Sequence, residues 1–247
     1  PSMLTHDNRE IVGQALVDHF NQAFLKHALP DSNLQVIRPL INCPAESFGL
    51  HDISEAEVYR TFIGLKNSKA LDIDNLQIKP IKFVIKCITP ALAPIFNLAI
   101  QSAQIPDALK RSKVIVIYKG GNKNEAKNYS PVSVIPIFPK GLEKILFSRL
   151  TNFFDKINLL PDAQFGFRKG RSTETALLTL KESVLQNIEN KHITLGLFVD
   201  YSKEFDSLNR NILILKLSDY GFRGKQLELF HSYLTNRTQC VCVGNYH

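Results

Sequence analysis

Residues 193–206 read ITLGLFVDYSKEFD, and the reading of this stretch decides the fold. Ile193 to Val199 is almost wholly apolar, too short for a free-standing helix and rich in residues that suit a buried strand. A carboxylate, Asp200, stands at its end. A charge at the end of a buried strand costs free energy unless it meets water, a hydrogen-bond donor or a cation. Asp200 either caps the turn Tyr201-Ser202-Lys203, pairs with Lys203, or is an acid held at the edge of the core for a ligand or metal.

The rest of the chain bounds these alternatives. Its 247 residues suffice for one large domain or two small ones, and at 44% hydrophobic residues a core is available. Lys+Arg 30 against Asp+Glu 23 gives a net charge of +7, which suits a polyanion-binding surface. The charge is clustered. Lys110, Arg111, Lys113, Lys119, Lys123 and Lys127 share a stretch whose one acid is Glu125, and Arg168, Lys169 and Arg171 form a second group. Cys43, Cys87, Cys240 and Cys242 lack the spacing of a zinc site, and Cys240 and Cys242 would lie on one side of a strand. Reduced thiols and the lack of a signal-peptide pattern lead to an expectation of a cytoplasmic and nuclear, intracellular protein. No apolar run reads as long enough to span a bilayer, so no membrane partner is expected.

In chain order, residues 8–29 have helical spacing through Val12, Leu16, Phe20, Ala23 and Phe24, and three prolines within residues 30–44 mark a linker. The expected division is an N-terminal helical segment and linker over 1–44 and a second domain over 45–247. Ser54-Glu55-Ala56-Glu57 is a capping box, with Ile53 and Val58 as a hydrophobic staple, and opens a helix running to about Lys66. Pro90 to Ala103 reads as a helix capped by Thr89. Val114 to Tyr118 and about Pro131 to Ile135 read as a hairpin whose tip, Lys119-Gly120-Gly121-Asn122, carries basic residues suited to a triphosphate. Helical spacing returns over Gly141 to Phe154 and over Thr173 to Ile188, where Ala176, Leu177, Leu180, Val184 and Ile188 share one side. Gln164 to Arg168 is a tight turn displaying the second basic group. Asn211 to Leu217 and Lys225 to Leu234 read as short helices and Gln239 to Val243 as a strand.

Three stretches together resemble a known family. FVDYSKEFD (residues 198–206) is similar to the D-x-S-K-A-F-D motif of reverse transcriptases from non-LTR (LINE-type, jockey-like) retrotransposons. QFGFRKGRST (residues 164–173) matches the segment before that motif. NYSPVSVIPIFPKGLEKILFSRL (residues 128–150) resembles the family's N-Y-R-P-I-S-L stretch and its K-x-x-E-K helix. The resemblance covers about residues 70–244 in the family's order.

The resemblance implies an RNA-directed DNA polymerase with an α+β, right-hand architecture: fingers rich in helices on a partial palm, an incomplete antiparallel sheet, with the thumb absent. It implies two Mg2+ (or Mn2+) ions in the complete enzyme, with Asp200 as the catalytic carboxylate and Asp200 and the Tyr201 carbonyl as metal ligands. Lys119 takes the phosphate-contacting lysine position. Phe205 takes the position of the aromatic under the sugar, where plain core packing is the competing role. Lys113, Lys123, Arg168, Lys169 and Arg171 would hold nucleic-acid backbone without reading sequence. The implied partners are an RNA template, a DNA primer and a dNTP; the oligomeric state is left open.

Departures from the family pattern matter as much. Ser130 stands where the family has an Arg that stacks on the incoming nucleotide, and serine offers neither plane nor charge. Leu71-Asp72-Ile73-Asp74-Asn75 replaces a Pro-Gly-Pro-Asp-Gly loop. Glu204 replaces an alanine, and the chain contains no Asp-Asp pair. The expectation is a reverse transcriptase fragment inactive alone. The alternatives are a non-catalytic nucleic-acid-binding remnant and a decayed retroelement copy.

Overall fold

A computed structural model describes residues 4–6, 9–11, 14–28, 44–201, 205 and 208–242. Two compact units emerge: residues 1–150 with 203–247, and residues 151–202.

The first unit is built on four helices, α2 (Glu55–Ile63), α3 (Ile78–Ser102), α4 (Ile137–Lys156, which ends in the second unit) and α7 (Lys225–Leu234). The capping box forms as its residue types require: the Ser54 hydroxyl accepts from the Glu57 N–H at 3.2 Å, and Ile53 and Val58 are both buried. Phe62, Ile85, Phe96, Ile145 and Leu229 meet in one core. Gly141 is what lets α4 approach α2, since a Cβ there would lie 2.3 Å from two ring carbons of Phe62.

A buried arginine and a buried aspartate close this core. Arg149 of α4 donates to both carboxylate oxygens of Glu57, at 3.3 and 2.8 Å, and to the carbonyls of His51 and Asp52. Asp72, 2% exposed, accepts from the N–H groups of Asp74 and Leu76 through one oxygen and of Ile137 through the other. Asn75 takes a left-handed φ of 58°, which asparagine tolerates better than most side chains. The stretch that reads as eroded is therefore a closed turn pinned to the start of α4.

The second layer is a sheet. β3 (Arg111–Tyr118) pairs antiparallel with β4 (Tyr129–Val134) and parallel with β5 (Thr238–Cys242), in the order β4-β3-β5. Val114 and Val241 on one face are fully buried against Leu16, Val17 and Phe20 of α1 (Gln14–Ala28). Two further short strands, β1 (Leu4–His6) and β2 (Arg9–Ile11), form an antiparallel pair, and α6 (Arg210–Asp219) precedes α7.

The second unit holds the last turns of α4, a loop and α5 (Thr173–Glu189). Ser172 and Thr175 cap α5 reciprocally, yet no residue of the helix is buried.

Four expectations need correction. The sheet is mixed rather than antiparallel, because the strand that joins β3 at its second side comes from the distant end of the chain. The helix expected over Pro90–Ala103 begins at Ile78 and runs through Pro90 and Pro94; Thr89, buried, donates to the Ile85 carbonyl instead of capping. Proline removes a helix hydrogen bond, but both prolines lie on the exposed side, open to solvent, while the other side is held by core burial. The same helix, 25 residues long, is long and apolar enough to cross a membrane by length and composition, contrary to the sequence reading. Its inner side, with Ile81, Ile85, Leu92 and Phe96, is packed in the core. Finally, Ile193 to Val199 forms no strand: it has no ladder partner among the described residues, and Ile193, Leu195, Leu197 and Phe198 are 85–98% exposed. An apolar run becomes a buried strand only when neighbouring strands supply hydrogen bonds and cover.

Candidate nucleotide and nucleic-acid interface

In the first unit the site is the β3–β4 hairpin. Ile117 faces Ser130 and Tyr118 faces Tyr129 across the ladder, and the Lys119 N–H extends it to the Asn128 carbonyl at 2.8 Å. By the two-residue period of a strand, Lys113, Ile117 and Lys119 lie on the same face as Ser130, opposite the face that meets α1. The register thus brings Lys119 and Ser130 together. Lys113, six residues from Lys119, sits about 20 Å away along an extended strand.

The tip is folded by its own polar groups. Gly120 and Gly121 adopt φ of 128° and 94°, which side chains rarely reach. Asn128 donates to the Asn122 carbonyl at 2.7 Å, Asn122 accepts from the Asn124 N–H at 3.0 Å, and the Tyr129 hydroxyl donates to the Lys123 carbonyl at 2.9 Å. The Lys123 ammonium lies 5.8 Å from the Tyr118 ring centre, a cation–π placement that stations its charge beside the turn. Lys119 is exposed. One member of the basic stretch leaves the set: Lys110 is 4% exposed and bonded to Asp107 at 3.1 Å. The side chain of Lys127, another member of that stretch, lies outside the described residues.

In the second unit the basic loop is also pre-folded. Phe167 and Gly170, not Gly166, take the left-handed conformation, with φ of 61° and 76°. Arg168 donates to the Pro161 carbonyl at 2.8 Å. Arg171 pairs with Asp162 at 2.9 Å and lies over the Phe165 ring at 5.1 Å. Both guanidiniums are partly committed to holding the loop, while Lys169 is exposed. Asp200 and Tyr201 are exposed at the end of the unpaired stretch.

Asp200 and the Tyr201 carbonyl are hard oxygen donors of the type a divalent ion takes. Their number is short: among the described residues no group of three or more His, Cys, Asp or Glu is placed to hold a metal. The described residues therefore do not by themselves make a complete metal site. Phe205 is exposed, at 73%. Ser202, Lys203, Glu204 and Asp206 lie outside the described residues, so their expected roles beside Asp200 do too.

Three residues to which sequence reasoning gave no role tie the helices of the first unit together. Asp72 and Arg149 are described above. Glu143 of the K-x-x-E-K helix accepts from the Tyr233 hydroxyl at 2.9 Å and stands 3.7 Å from the Arg237 guanidinium. Burial raises the Glu143 carboxyl above its ordinary value against the pull of Tyr233 and Arg237. Burial, with Glu143 adding to it, also pushes the Tyr233 hydroxyl well up. The Asp-x-Asp-Asn sequence at 72–75 was the one available signal, as an Asx turn.

Comparison with known proteins gives a consistent picture. The family model "Reverse transcriptase (RNA-dependent DNA polymerase)" matches residues 118–245, just over half the chain. "Probable RNA-directed DNA polymerase from transposon BS" of Drosophila melanogaster is 28% identical over 81% of this chain and 22% of its own length. "RNA-directed DNA polymerase from mobile element jockey" of the same species is 28% identical over 88% of this chain and 24% of its own length. "Putative 115 kDa protein in type-1 retrotransposable element R1DM", also from D. melanogaster, is 30% identical over 72% and 17%. The chain thus spans about a quarter or less of these relatives.

Proposed function

This chain belongs to the reverse transcriptase family, in its non-LTR, LINE-type branch, and on that premise we propose that it is the fingers and part of the palm of an RNA-directed DNA polymerase. The substrates of this reading are an RNA template, a DNA primer and a dNTP, with the cytoplasm and nucleus as its place of action. The β3–β4 hairpin carries the reading: it sets Lys119 and Ser130 on one face beside a turn rich in backbone N–H groups. Lys119 meets the phosphates of the incoming nucleotide, and Lys113, Lys123, Arg168, Lys169 and Arg171 meet nucleic-acid phosphates. In the complete enzyme Asp200 and the Tyr201 carbonyl hold divalent metal, Mg2+ or Mn2+, and Phe205 packs under the sugar.

Alone, the chain is proposed to be inactive. One carboxylate does not complete a site for two ions, no Asp-Asp pair is present to supply the remainder, and Ser130 gives the nucleotide neither stacking nor charge. The test is primer extension on an RNA template with Mg2+, paired with RNA binding at several salt concentrations. No incorporation above background is expected, and RNA affinity should fall as salt rises. Each phosphate contact removed should lower the salt slope by about 0.7. Incorporation would overturn the inactivity; RNA binding indifferent to Lys119→Ala and Lys169→Ala would overturn the interface. Ser130 also favours a second reading, a non-catalytic nucleic-acid-binding remnant. On that reading Lys119→Ala weakens RNA binding while Asp200→Ala changes neither RNA nor metal binding.

A further inference from the structure

β5 carries two thiols that the polymerase reading does not use. Cys240 and Cys242 are two residues apart on one strand, so both side chains leave the same face. Both are half-buried; the Cys240 thiol donates to the Val241 carbonyl at 3.9 Å and the Cys242 thiol to the Cys240 carbonyl at 3.8 Å. Lys113 is the ladder partner of Cys240, and its charge reaches Cys242 as well. β5 is an edge strand of the sheet, and both cysteines are partly exposed.

We propose that Cys240 and Cys242 form a two-thiolate clamp for a soft monovalent cation of the copper(I) class. Thiolates select soft ions over the hard ions of a polymerase centre. A zinc site wants four ligands in a tetrahedron, and among the described residues no group of three or more metal-binding side chains exists. Two-coordinate ions need two sulfurs only. Positions two apart on a strand are about 6.6 Å apart at Cα, near the upper limit for a direct disulfide, whereas a bridging ion leaves the sulfurs further apart. Binding replaces two S–H bonds with two metal–sulfur bonds and releases two protons to water. The product carries one negative charge, which the Lys113 ammonium faces. Nothing in this depends on the polymerase reading.

The test uses the full chain, reduced and without oxygen, titrated with copper(I) against a chromogenic copper(I) chelator. One equivalent should bind. Cys240→Ser or Cys242→Ser should weaken binding about 100-fold or more, because each removes one arm of the chelate. Cys43→Ser and Cys87→Ser should leave it unchanged. X-ray absorption on the wild-type complex should show two sulfur neighbours, which does not depend on any variant folding. Undiminished binding by Cys240→Ser/Cys242→Ser, loss of binding in Cys43→Ser, or a third sulfur neighbour would each overturn the clamp.

Discussion

Helices α4 and α5 carry the same kind of apolar repeat and come to opposite ends. In α4, Leu142, Ile145 and Leu146 are buried at 5% exposure or less. In α5, Leu177, Leu180 and Ile188 stand 47–64% exposed, and no residue is buried. The contrast repeats among strands. Val114 of β3 lies between two ladder partners and under a helix, fully buried, whereas Leu197 and Phe198 have neither ladder nor cover. Periodicity says which face of an element is apolar. It does not say that anything meets that face. An unpaired apolar stretch is an invitation to strand pairing with another chain, so association of the isolated protein follows from these residues.

The contrast can be broken from the packed side first. Gly141→Ala forces a methyl into the Phe62 ring and should cost about 3 kcal/mol or more, read as a lowered urea midpoint. Asp72→Ala comes next: it strips three backbone N–H groups of their acceptor and should cost about 2–3 kcal/mol, with hydrogen exchange quickened at Leu76 and Ile137. A loss below 0.5 kcal/mol in either would mean that α4 and its turn are not held as described.

Glu143→Gln probes the polar part of the same core through pH. The folded carboxyl titrates above its unfolded value, so the folded state holds the proton more tightly, and stability drops as pH rises from the unfolded value through the folded one. Above that window the penalty is constant. The glutamine variant still accepts from Tyr233 and should lack this decline, visible as flat urea midpoints from pH 4 upward where the wild type falls. A parallel decline in both proteins would assign it to other groups.

The smallest effect belongs to the exposed side. Leu180→Ser and Leu197→Ser should change stability by less than about 0.5 kcal/mol while raising the concentration at which the chain associates in light scattering. A loss of about 2 kcal/mol or more would show that these residues are covered in solution, and the contrast with α4 would disappear.

Much of this was legible in the residues. The Ser54 cap, the staple at Ile53 and Val58, the hairpin, the existence of α4 and the spans of α5 and α7 rest on local chemistry that a sequence displays. So does the placing of Lys119 and Ser130 on one face, once the hairpin's turn is seen. What escaped was decided by residues far apart in the chain. Asp72 reads as one more polar loop residue until Ile137 donates to it across 65 positions. Arg149 reads as surface charge until Glu57, His51 and Asp52 surround it. Lys110 is a different case: it counted with the basic stretch, and its burial together with the near neighbour Asp107 withdrew it.

The motifs around Asp200 and their order identify the family without any coordinates, because the chemistry of a polymerase tolerates few residue types at each position. Local order, too, is written in caps, turns and periods. Tertiary structure alone decided which apolar faces are covered, that β5 joins β3 in parallel, and which charges remain open to solvent. Each of these depends on the free energy of bringing distant segments together, and that energy belongs to pairs of surfaces and not to any one stretch of chain.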